Sequence, residues 1–64
     1  MTKKQIEQAI KDGKVVAIKG EPMSRVCYDL FGNLVVASLS AESPIRLLTD
    51  SDSRRAEILN ENEN

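Results

Sequence analysis

Hydrophobic positions change their period as the chain proceeds. Ile6, Ala9 and Ile10 recur at helical spacing, giving a narrow apolar stripe. Thr2 followed by Gln5 forms a capping-box pair, Met1 and Ile6 occupy the positions of a hydrophobic staple, and Gly13 suits a helix end. A helix over residues 3–12 is therefore expected. Residues 14–19 then read as a strand buried on both faces, with Val16 and Ile18 on one side and Val15 and Ala17 on the other. Gly20-Glu21-Pro22 breaks it.

The central stretch, residues 25–40, reads as a β-hairpin. With Gly32-Asn33 as a two-residue type II′ loop, Leu30 faces Val35, Tyr28 faces Ala37 and Val26 faces Leu39. That register makes one face wholly apolar, from Val26, Tyr28, Leu30, Val35, Ala37 and Leu39. Arg25, Cys27, Asp29, Ser38 and Ser40 go to the other, together with Phe31, Leu34 and Val36 near the turn. After Pro44, Ile45 and Leu47 predict a fourth strand. Thr49-Asp50-Ser51-Asp52 supplies helix N-caps, so Ala56, Ile58 and Leu59 are expected in a short C-terminal helix, favoured over a fifth strand. The fold class is α+β: an N-terminal helix packed on a three- or four-stranded antiparallel sheet. One domain is expected over residues 1–59, with residues 60–64 as a frayed polar tail.

At 64 residues such a chain buries only about 60% of the surface its unfolded form exposes. Its core is small, with Tyr28 and Phe31 the only aromatics. A shortage of core favours association, so a homodimer is expected. Phe31, Leu34 and Val36, an apolar group on the polar face of the hairpin, form the candidate interaction surface.

Nine basic and ten acidic side chains give a net charge of -1, which excludes a polycationic nucleic-acid tail. The charges are unevenly placed. Lys3, Lys4, Lys11, Lys14 and Lys19 face only Glu7 and Asp12 at the N-terminal end; Asp50, Asp52, Glu57, Glu61 and Glu63 outnumber Arg54 and Arg55 at the other. Opposite ends of this kind attract, within a chain or between chains. Lys3 and Lys4 sit at the positive end of a helix dipole, a small cost that hints at another use for them. Lys3, Lys4, Lys11 and Lys14 are accordingly the candidate phosphate contacts of an alternative, nucleic-acid-binding function.

No catalytic residue set stands out. Cys27 is the sole thiol and the chain contains no histidine to activate it. Asp50-Ser51-Asp52-Ser53 loosely follows a calcium loop, but Arg54 and Arg55 stand where a ligand and a glycine are required, so helix capping explains the segment better. No metal, cofactor or enzymatic activity is expected. No apolar run reaches the length of a membrane span, the N-terminus lacks a signal-peptide core, and Met1 directly before a helix start fits a complete short reading frame. The lone cysteine fits the cytoplasm.

Gln5 to Gly20 resembles the helix-Gly-Lys-strand opening of phage anti-defence proteins of the Thoeris-inhibitor type, with Glu21-Pro22 where that family has tryptophan. Asn33-Leu34-Val35, following a helix and a bent sheet, is similar to a segment of Sm-like RNA-binding proteins, with a longer spacing from Gly13. Neither resemblance assigns site residues. The expectation is a small bacterial or phage-type accessory protein, non-enzymatic, binding itself and a further protein rather than a membrane.

Overall fold

The computed structural model describes residues 1–39 and 44–59. The elements run α1 (Lys3–Lys11), β1 (Val15–Ile18), β2 (Ser24–Tyr28), β3 (Leu34–Ser38), β4 (Ile45–Leu47), α2 (Asp50–Arg55) and β5 (Ala56–Leu59). The class is α+β, as expected. Its strands form two antiparallel sheets, β1-β5 and β2-β3-β4, rather than one. The polar tail, residues 60–64, lies outside the described residues.

Local signals explain α1. Thr2 Oγ1 accepts from Gln5 N–H, and the Gln5 side chain accepts from Thr2 N–H, so two otherwise orphan donors are satisfied. At the far end Gly13 at φ +81° lets Lys14 N–H reach Ala9 O and Gly13 N–H reach Ile10 O, the Schellman pattern. Between these caps Ile6 and Ala9 are buried. They pack with Val16, Ile18, Val26, Leu34, Val36 and Ala56 in one core, flanked by Met1, Ile10 and Leu48.

The hairpin differs from the expected register. Val26 pairs with Val36, Cys27 with Val35 and Tyr28 with Leu34, so Val26 sits three residues short of the expected Leu39. An odd slip transfers every side chain of one strand to the opposite face. Tyr28 and Ala37 consequently lie on different sides of the sheet, and the expected apolar face is dismantled. Val26 keeps its place in the core and is joined by Leu34 and Val36. Leu30 and Leu39 are exposed, and Val35 and Ala37 lie on the face with Arg25 and Cys27.

The cause is Asp29. Its Oδ1 accepts from the N–H groups of Phe31 and Asn33 at 2.9 and 2.8 Å, while its backbone N–H donates to Asn33 O and its carbonyl accepts from Gly32 N–H. The loop is therefore Leu30-Phe31-Gly32, closed by an Asp-led turn and a left-handed glycine at φ +83°, the usual three-residue hairpin geometry. Gly32-Asn33 does not form a two-residue loop.

The C-terminal segment also needs correction. Helix α2 starts where the caps predict, with Thr49 and Asp52 in a reciprocal capping box, but it ends at Arg55. Ala56–Leu59 extends and pairs along β1, Val16 opposite Ile58 and Ile18 opposite Ala56. Strand β1 otherwise leaves one row of backbone donors and acceptors without a partner, and satisfying it outweighs one further helical turn. The N-terminus thereby meets α2: the Met1 ammonium donates to Ser53 O at 2.9 Å.

Candidate functional site

Three surface regions carry the chemistry of this chain. One is the outer face of β2-β3-β4. Because α1 and the core occupy the side of Val26 and Val36, the opposite side presents Arg25 and Cys27 from β2, Val35 and Ala37 from β3, and Ile45 and Leu47 from β4. Ile45 and Leu47 are each 63% exposed, and Met23 and Leu39 are exposed beside them. A shallow, mainly apolar hollow runs between Met23, Ala37, Leu39, Pro44 and Ile45. Val35 is buried at the centre of this face, while among the described residues Ile45, Leu47, Met23 and Leu39 stand open to solvent.

Among the described residues, no strand pairs with the outer edge of β4. Leu48 N–H donates to Leu34 O, and Ser38 N–H to Pro44 O. Hydrogen-bonded pairs alternate along an antiparallel ladder, so the backbone groups of Ile45 and Leu47 point away from β3. An edge of this kind templates a further strand.

The second region joins the two sheets. Arg46 grips Asp52 through Nε and a terminal nitrogen, at 3.4 and 3.0 Å, and reaches Glu21 at 3.2 Å. Arg55 adds contacts of 3.0 Å to Asp52 and 3.6 Å to Glu21. Asp52 is only 2% exposed. Burial pushes its carboxyl up, but the Arg46 hydrogen bonds and the Thr49 N–H outweigh that, and the net shift is downward. Arg46 is correspondingly shifted up, first by its hydrogen bond to Asp52. Nearby, the Ser24 hydroxyl accepts from Ile18 N–H at 2.9 Å and donates to Glu21 O at 2.6 Å, bridging β1 and β2 where they separate. Among the described residues no buried side-chain polar atom lacks a hydrogen-bond partner, and the cluster serves to hold the fold.

The third region holds the lysines. All four of Lys3, Lys4, Lys11 and Lys14 are exposed, but they do not converge. Lys4 and Lys11 border a hollow with Glu7, Gln8 and Tyr28. Lys3 adjoins Gly32 and Asn33 of the hairpin loop, whereas Lys14 faces Asp12 and Glu57 on another side.

The expected interaction group is also split. Val36 is fully buried and Leu34 nearly so, both beneath α1, while Phe31 stands 88% exposed at the loop tip. Ile45, Leu47, Met23 and Leu39 are the apolar surface residues that the sequence reading missed. A signal for them existed in Asp29-x-x-Gly32, whose acid and glycine fit the ends of a β-turn and set the register. Cys27 is exposed, across from Val35.

The chain matches no protein-family model, no curated protein and no solved structure. Among the described residues no helix is long and apolar enough to cross a membrane.

Proposed function

We propose that this chain is a non-enzymatic cytoplasmic interaction protein that acts as a homodimer, with the outer edge of β4 and the apolar strip beside it as its interface. The observation that supports this most is the uncovered apolar strip of Ile45 and Leu47 beside an open strand edge. A second copy fits it. Antiparallel pairing of two β4 strands about Arg46 sets Ile45 of one copy opposite Leu47 of the other, uses all the outward backbone groups of both residues, and is two-fold symmetric. Arg46 then lies opposite its own copy, a like-charge pairing that Asp52 and Glu21 neutralise on each side.

Full burial of a Leu or Ile is worth about 1.5–3 kcal/mol. Edge pairing covers these four side chains only where they touch across the strands, so they contribute at most roughly 4–8 kcal/mol, against an association cost of about 4–15 kcal/mol. The dimer is therefore weak, and further partners bind by the same face or displace it. Sedimentation velocity from micromolar to millimolar protein tests this. The sedimentation coefficient should rise with concentration in the parent chain and stay monomeric in Leu47→Glu, with unchanged circular dichroism. A parent chain that remains monomeric at millimolar concentration contradicts the proposal.

A further inference from the structure

The chain has two aromatic residues and buries neither. Tyr28 is 44% exposed and Phe31 88%, although aromatic rings are the largest apolar groups a small core has available and the core cluster is built entirely from aliphatic side chains. Both rings lie at the same end of the molecule, Tyr28 closing β2 and Phe31 at the tip of the loop that follows. Helix α1 brings its cations to that end. Lys4 and Lys11 share the hollow of Tyr28, and Lys3 borders Gly32, next to Phe31.

We propose that this hairpin end binds single-stranded nucleic acid, with bases stacked on Tyr28 and Phe31 and phosphates on Lys3, Lys4 and Lys11. Exposed aromatic faces accept any base, and lysines beside them neutralise the backbone that connects successive bases. Lys4 and Lys11 are seven residues apart on one helix face, about 10 Å along the axis, so a strand can lay a base on Tyr28 with a phosphate on either side. Lys14 takes no part, since it faces Asp12 and Glu57. Glu7 sits between the lysines in the same hollow and opposes the anion, which makes the site weak and strongly salt-dependent. A duplex fits poorly, because its stacked bases offer nothing to the rings. Lys3 shares its hollow with Leu47 of the proposed dimer strip, whereas the hollow of Tyr28, Lys4 and Lys11 contains no β4 residue, and the proposal does not depend on the dimer.

Fluorescence anisotropy of labelled oligo-dT and oligo-U, titrated with the full chain at low salt, tests the proposal. The expected result is binding of single strands in preference to a duplex of the same length, with a log-log salt slope of about -2 for three neutralised phosphates. Tyr28→Ala and Phe31→Ala should each weaken binding on the order of 5- to 100-fold, Tyr28→Phe should retain it, and Glu7→Gln should tighten it. Ile45→Glu, on the dimer face but outside the hollow of Lys3, should bind as the parent does, which separates this site from the dimer face. Phe31→Ala alters an exposed loop tip and leaves the fold intact, so it tests stacking without a folding artefact. No anisotropy change at low salt overturns the proposal and returns the aromatic pair to a protein partner. Binding that is equal for duplex, or indifferent to loss of both rings, overturns it as well.

Discussion

Replacing Asp52 with alanine removes a buried charge that couples α2, β4 and the β1-β2 bend. The side chain accepts from Thr49 N–H, from Arg46 twice and from Arg55. Losing the reciprocal cap costs about 1 kcal/mol. Breaking a buried pair by removing one partner costs about 3–5 kcal/mol when the survivor is stranded; here Arg46 is 31% exposed and keeps Glu21, so the pair contributes at the low end or below. Together these give roughly 2–4 kcal/mol. A domain of this size has about 3–10 kcal/mol in all, at 0.05–0.15 kcal/mol per residue, so Asp52→Ala removes a large share of it. Urea unfolding followed by circular dichroism reads this as a lower midpoint at constant slope. Arg46→Leu with Asp52→Ala should cost less than the two single changes added, because neither partner is then left alone. Arg55→Ala should cost under about 0.5 kcal/mol, as expected of a half-exposed ion pair. A midpoint for Asp52→Ala within about 0.5 kcal/mol of the parent would refute the view that this network locks the two sheets.

Three further outcomes follow from the same geometry. Ser24→Ala strands the buried N–H of Ile18 and should cost about 1–3 kcal/mol in urea unfolding, whereas replacing an exposed serine such as Ser51 should cost little. Gly32→Ala meets no steric obstacle but must adopt φ +83°, so it should lose about 1–2 kcal/mol in thermal unfolding, and Gly32→Asn less. Asp29 and Asp52 are both shifted down, Asp29 chiefly by the Asn33 N–H and Asp52 by Arg46 and Thr49 against the effect of burial. Their stabilisation is therefore complete above the unfolded carboxylate value of about 3.9 and lost as pH falls through the lower folded values. Thermal melts between neutral and acid pH should show it, and a stability that is flat or rises toward acid contradicts it.

Much of the fold is legible because its causes are local. The capping box at Thr2 and Gln5, the Ile6-Ala9 stripe and Gly13 all act within one or two helical turns, and they place α1 correctly. The unbroken apolar, β-branched run from Val15 to Ile18 announces β1. The hairpin register is harder, because Gly32-Asn33 resembles a two-residue loop and only the reach of the Asp29 carboxylate to Phe31 and Asn33 N–H decides otherwise. Strand alternation then amplifies that single decision, moving Leu34 and Val36 from surface to core and Val35 and Ala37 to the outer face, while Val26 and Tyr28 keep the core side. Strand β5 and the Glu21-Arg46-Asp52-Arg55 network depend on contacts between segments distant in sequence, which periodicity does not encode. Candidate lysines were recognisable as exposed charges, but their partition among three hollows depends on how α1 sits against the hairpin.

Cross-strand nuclear Overhauser effects in the hairpin test the account most directly, since both proposed surfaces depend on its register. In an antiparallel ladder the non-hydrogen-bonded pairs bring their α-protons closest. Asp29 N–H donates to Asn33 O, so alternation makes Val26 with Val36 and Tyr28 with Leu34 such pairs. Strong α-proton effects between those two pairs are the predicted result. An effect between the α-protons of Tyr28 and Ala37 would return Tyr28 to the face of Ala37, and with it remove both the stacking end and the outer apolar face.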